Sequence, residues 1–114
     1  MAQSESALTV TVSPTATAEL LDIWRWNADR YGQRHADDYV GFLRNSLQQL
    51  PVLHALGQPV TVRPEFRYVL MRRRTKGHGH LAVYRCDDKT IDVLHVFHTA
   101  QDWQSILADE APRP

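Results

Sequence analysis

Residues 66–98 read FRYVLMRRRTKGHGHLAVYRCDDKTIDVLHVFH, and the fold turns on them. Phe66 to Arg73, His80 to Cys86 and Ile91 to His98 are three runs of strand length, rich in Val, Ile, Leu, Tyr and Phe. The glycine-rich turn Thr75-Lys76-Gly77-His78-Gly79 separates the first two, and Asp87-Asp88-Lys89-Thr90 separates the last two. Neither spacer is long enough for a crossover helix, so the three strands are predicted to form an antiparallel meander.

Upstream, Leu8-Thr9-Val10-Thr11-Val12 alternates apolar and polar, as a half-buried strand does. Ser13-Pro14 then reads as a helix N-cap followed by a first-turn proline. Thr17, Leu20, Leu21, Trp24, Ala28 and Tyr31 recur at helical spacing up to Gly32, a helix terminator. A second stripe, Ala36, Val40, Leu43, Leu47 and Leu50, predicts a helix from about Gln33 to Leu50, stopped by Pro51. The short break at Gly32 makes the two helices an antiparallel hairpin. Leu53 to Val62, with Gly57 and Pro59, reads as a loop. Downstream, Thr99 to Ala108 reads as a short helix anchored by Trp103, Ile106 and Leu107, and Asp109 to Pro114 as a frayed end.

The order is β-α-α-β-β-β-α. The first strand needs partners and joins the meander, and the hairpin needs a sheet to cover one side. The expected architecture is a two-layer α+β domain, a helical hairpin on a four-stranded, largely antiparallel sheet. The chain's 114 residues suit one domain, 1–114, with an ordered core of about 8–108. Mean hydropathy is −0.41 and no apolar run reaches membrane-spanning length. The N-terminal residues lack the basic and apolar regions of a secretory signal, and Cys86 has no disulfide partner. A cytoplasmic protein is expected, with no membrane partner.

The formal net charge is zero, but it is unevenly distributed. Residues 61–86 carry Arg63, Arg67, Arg72, Arg73, Arg74, Lys76 and Arg85 against Glu65 alone. A basic segment in a neutral chain marks a site for an acidic partner, or a solvated strand pair whose charges meet acids elsewhere.

Several local strings, in order and in spacing, resemble the RelE/ParE toxin superfamily, and its ParE branch most closely. They are Val12-Ser13-Pro14 with Ala18 to Trp24, Tyr31-Gly32 with Ala36 and Tyr39, and Leu47 to Pro51 with Gly57. They continue with Arg63-Pro64-Glu65-Phe66-Arg67, His80-Leu81-Ala82-Val83-Tyr84, and Ile91 to His98 followed by Asp102. The resemblance implies the toxin of a type II toxin–antitoxin system, neutralised by a cognate, ParD-like antitoxin. For the ParE branch it implies inhibition of DNA gyrase by binding rather than by catalysis. For the RelE branch it implies a ribosome-dependent mRNA endoribonuclease. Cleaving members often carry an arginine just after the last strand, where this chain has Thr99-Ala100-Gln101.

For the binding reading, Arg67, Arg72, Arg73, Arg74 and Lys76 are the target-binding candidates, since guanidinium and ammonium groups suit an acidic partner or phosphate. Trp26 lies off the apolar stripe, about 200° around the helix from Trp24, and with Tyr31 is a candidate for partner binding. For the nuclease reading, His98, His80, Arg67 and Tyr84 are the catalytic candidates, since RNA cleavage needs a base, an acid and a cation for the phosphate. His78 and His80 can share a face. His95 and His98, three apart in a strand, point to opposite faces, and no acidic ligand sits at a telling spacing. No metal and no other cofactor is expected. Cys86, beside Asp87 and Asp88, is not placed to act as a nucleophile.

Overall fold

The computed structural model describes residues 8–74 and 78–110. The meander is present. β3 (Arg63–Met71), β4 (His80–Cys86) and β5 (Thr90–His98) pair antiparallel in sequence order. β1 (Thr9–Val12) joins beside β5 in parallel register, Val10 opposite Ile91. The hairpin is α1 (Pro14–Tyr31) and α2 (Gln33–Gln48). Gly32 makes the turn between them at φ 93°, a left-handed conformation that favours glycine. Ser13 caps α1. Its Oγ accepts the Ala16 N–H at 3.0 Å and donates to the Leu94 carbonyl at 3.0 Å.

Three expectations need correction. The sheet has five strands, in the order β1-β5-β4-β3-β2, because Gln58–Val60 of the predicted loop forms β2 along the outer edge of β3. Pro59 is tolerated there because an edge strand leaves one row of N–H groups unpaired. Pro51 does not simply stop α2. It occupies the first turn of a short helix, α3 (Leu50–Leu53), where a missing N–H costs nothing, and a 3₁₀ turn (His54–Leu56) follows. The stripe of α1 is also rotated from its predicted position: Ala16, Leu20 and Asn27 are buried and Ile23 is half-buried, whereas Leu21 and Tyr31 are exposed. Steps of four, three and four from residue 16 face the sheet. Of the predicted set only Leu20 shares that face; Thr17, Leu21 and Tyr31 are exposed, and Trp24 and Ala28 are half-buried.

The helix face of the sheet holds one core, with Leu20, Leu43, Leu47 and Leu50 over Ala82, Tyr84, Ile91, Val93 and Val96. The opposite face is not bare. α4 (Trp103–Asp109) lays Trp103 and Leu107 over Phe66, Leu81, Val83 and Phe97. Apolar layers on both sides explain why β4 and β5 read as near-continuous apolar runs rather than as alternation. In β5 the register shifts by one residue. Val93 pairs with Tyr84 and His95 with Val83, leaving Leu94 as a bulge whose carbonyl takes the Ser13 hydroxyl. Where β1 ends, the open edge of β5 is closed by a side chain, and the Val96 N–H donates to Glu19 of α1 at 2.7 Å.

Candidate functional site

His80 at the start of β4 and His98 at the end of β5 are cross-strand partners on the helix face. Their ring centroids lie 5.1 Å apart, edge to face. Tyr39 of α2 comes down on them, its hydroxyl 2.6 Å from His80 Nδ1. His78 lies beside His98, centroids 5.5 Å apart. Arg73 and Arg74, just past β3, form one rim, and Trp26 and Tyr31 at the tip of the helical hairpin form the other. The space between is an open cleft of about 1090 Å³.

Burial lowers the pKa of His80 to about 4, with His98 adding in the same direction. Burial, and then His78, lowers that of His98. Burial raises that of the Tyr39 phenol, against the pull of Arg73. At neutral pH the two histidines and the tyrosine are therefore uncharged. The hydrogen bonding fixes one tautomer: the Ala100 N–H donates to His98 Nδ1 at 3.0 Å, so the proton of neutral His98 sits on Nε2. Nε2–H is a donor, and the ring's only lone pair is already engaged. Arranged in this way, His98 donates a hydrogen bond and cannot accept a proton unless the bond from Ala100 is released.

The other two nuclease candidates lie elsewhere. Arg67 and Tyr84 are cross-strand partners four residues along β4 from His80, a distance of roughly 13 Å. Tyr84 is fully buried and donates to the His54 carbonyl at 2.6 Å, while Arg67 donates to the Gly57 carbonyl at 3.1 Å. Together they brace the turn before β2. The four residues are thus two pairs, not one constellation. Of the target-binding candidates, Arg72, Arg73 and Arg74 are exposed and Arg73 and Arg74 line the cleft, while Arg67 stands apart and Lys76 lies outside the described residues. Trp26 and Tyr31 are 52% and 60% exposed, 6.0 Å apart edge to face, with the Arg30 guanidinium 4.5 Å over the Trp26 ring. Trp24 is only half-buried and donates from Nε1 to Asp37 at 2.8 Å, tying α1 to α2.

Two features were not legible as sites in the sequence. Tyr39 has no sequence signal that places it over His80, forty-one residues away. His95, on the far face from His98, is held between two carboxylates, Glu19 at 3.0 Å and Glu110 at 2.7 Å. Cys86 is half-buried, 3.7 Å from His54 Nδ1. Its thiol is pushed up by burial first, with Arg67 opposing and Asp87 and Asp92 adding, so Asp92 takes the part that the sequence reading gave to Asp88. Among the described residues no three His, Cys, Asp or Glu side chains converge to hold a metal ion. No described helix is long and apolar enough to cross a membrane.

Comparison with known proteins places this geometry in a family. The chain is 29% identical over 93 residues to Toxin ParE1 of Mycobacterium tuberculosis, in both the CDC 1551 / Oshkosh and H37Rv strains. That match spans 80% of this chain and 89% of the relative. A solved structure described as the chromosomal ParDE TA system from P. aeruginosa superposes with a TM-score of 0.69 at 18% identity, over 81% of this chain and 96% of that one. The family model for the ParE toxin of the type II toxin–antitoxin system parDE matches residues 10–103, from β1 to the first residue of α4, and the chain therefore belongs to the ParE toxin family.

Proposed function

We propose that this toxin acts in the cytoplasm by binding and inhibiting an essential target, DNA gyrase, and that a cognate ParD-like antitoxin neutralises it. Membership of the ParE family supports this reading. The observation that carries it within the molecule is the dispersal of the proton-transfer set. Arg67 and Tyr84 are spent on a turn, and His98 has its lone pair engaged, whereas Arg72, Arg73 and Arg74 are exposed, with Arg73 and Arg74 on the rim of the cleft. Exposed arginine beside exposed tryptophan is the composition of a protein-binding hot spot rather than of a proton relay. The antitoxin would cover Trp26 and Tyr31, together with the groove of about 910 Å³ between α1 and α2 where Leu21, Trp24 and Val40 line an apolar floor.

A ribosome-dependent mRNA endoribonuclease is the second reading. One observation favours it: His98, His80, Tyr39 and Arg73 do share a cleft. Growth arrest on induction separates the two. The binding reading expects Arg72→Ala/Arg73→Ala/Arg74→Ala to abolish arrest and His98→Gln to leave it nearly intact, with circular dichroism showing both folded. Loss of arrest in His98→Gln alone would favour the nuclease, since losing a general acid or base costs ~10²–10⁴-fold in rate. Purification of a tagged chain from its native operon should recover a small second protein. Recovery of the toxin alone would count against the antitoxin.

A further inference from the structure

We propose that the cleft between the hairpin tip and the β3–β4 turn binds a nucleotide unit, its phosphate on Arg73, Arg74 and His98 and its base against Trp26 and Tyr31. The inference goes beyond the gyrase reading and does not depend on it.

The groups in the cleft divide by chemistry. The polar wall consists of donors. His98 presents Nε2–H because its Nδ1 accepts from Ala100, and Arg73 and Arg74 bring fixed positive charge. His78 stands against His98 and would add a second imidazole donor. Tyr39 and His80 bind each other and fix the floor, so neither competes for the ligand. The one acid in the lining, Asp22, lies on the hairpin side and faces its own helix neighbour Arg25 at 3.8 Å. A cleft floored by neutral, buried groups and rimmed by guanidinium suits an anion.

The facing wall is aromatic. Trp26 and Tyr31 are more than half exposed, and Tyr31 has the His35 ring, also in the lining, 4.7 Å away. Arg30 covers one face of Trp26 at 4.5 Å, and Tyr31 meets the indole edge to face at 6.0 Å, which leaves its exposed surface in the lining of the cleft. An exposed aromatic across a cleft from guanidinium groups is the pairing by which proteins take a nucleotide, stacking the base and neutralising the phosphate. Neither inorganic phosphate nor an uncharged aromatic would use both walls. The volume, about 1090 Å³, is ample for a mononucleotide, and the open mouth admits a strand as well as a free ligand.

The test uses the purified full-length chain and four probes: inorganic phosphate, adenosine, adenosine 5′-monophosphate and hexa-riboadenylate. Binding is read by tryptophan fluorescence and by the histidine ring resonances in NMR. Adenosine 5′-monophosphate should shift His78 and His98, quench Trp26, and bind more tightly than either phosphate or adenosine. Arg73→Ala/Arg74→Ala should weaken it by about tenfold or more, and Trp26→Leu by several-fold, with the fold intact because all three side chains are exposed. Tighter binding of the hexamer would identify the ligand as a unit of a single strand, and equal binding would identify it as a free nucleotide. Phosphate binding as tightly as the nucleotide, or no shift of His98 at millimolar probe, would overturn the proposal. Neither result would alter the effect of the toxin on gyrase, so the two readings fail separately.

Discussion

His95 and His80 lie on opposite faces of the sheet and titrate in opposite senses. Burial disfavours a charged His95, but Glu19 and Glu110 outweigh it and raise its pKa. The stabilisation from this clasp is complete below pH 6.5 and is lost as pH rises through the raised value. His80, lowered from 6.5 to about 4, acts the other way. Its contribution is intact above pH 6.5 and is lost as pH falls toward 4, by up to about 3 kcal/mol. Urea midpoints across pH should therefore fall on both sides of neutrality. His80→Gln should flatten the acid limb and His95→Gln the alkaline limb. An unchanged alkaline limb in His95→Gln would show that the carboxylate clasp does not stabilise the fold. Gly57 shows a second kind of constraint: a Cβ there would lie 1.9 Å from the Tyr84 hydroxyl and 3.3 Å from Arg67 Cβ. Tyr84 is fully buried and bonded to the His54 carbonyl, so it has little room to retreat. Gly57→Ala should cost about 1–3 kcal/mol by thermal or urea unfolding. Full stability would mean that the turn before β2 can shift. The glycine was visible in the sequence, but its opponent, twenty-seven residues away, was not.

At the level of single elements, several boundaries followed the local signals, but β3 starts three residues before the predicted Phe66 and ends two before Arg73, and α4 starts four residues after the predicted Thr99. Ser13-Pro14 starts α1, Gly32 divides the hairpin, and β4 runs His80–Cys86 as the pattern indicates. What was illegible depended on partners. β2 is three residues long with a proline in the middle, too short to have a period, and exists only because β3 offers an edge. The rotation of the α1 stripe was hidden because α1 packs on the sheet and on α2 at once, so apolar residues on two flanks fit more than one stripe. Ser13 joins two elements. Its hydroxyl caps α1 and also satisfies the carbonyl that the β5 bulge leaves open at Leu94. Ser13→Ala should lose about 1–2 kcal/mol in urea unfolding, more than an isolated cap in a solvated helix. A loss within a few tenths would show that water replaces both bonds.

Across the whole molecule, a central sheet carries a helical hairpin on one face and α4 on the other, and Arg72, Arg73 and Arg74 after β3 belong to neither core and stay exposed. The sequence indicated where positive charge gathers, and the structure shows which of it faces the histidine cleft. Arg73 and Arg74 do; Arg67 does not, because it lies mid-strand, four residues before β3 ends at Met71. The nuclease set read from the sequence failed to assemble for the same reason: residue types suited to the chemistry were present, but the strand register separates them. This ParE-family toxin is proposed to disable its target by binding rather than by cutting RNA. The most direct measurement places the purified toxin in a gyrase supercoiling assay and, in parallel, in a translation-dependent mRNA cleavage assay. Supercoiling should be lost while the mRNA stays intact. Cleavage of mRNA at defined codons with gyrase unaffected would contradict it.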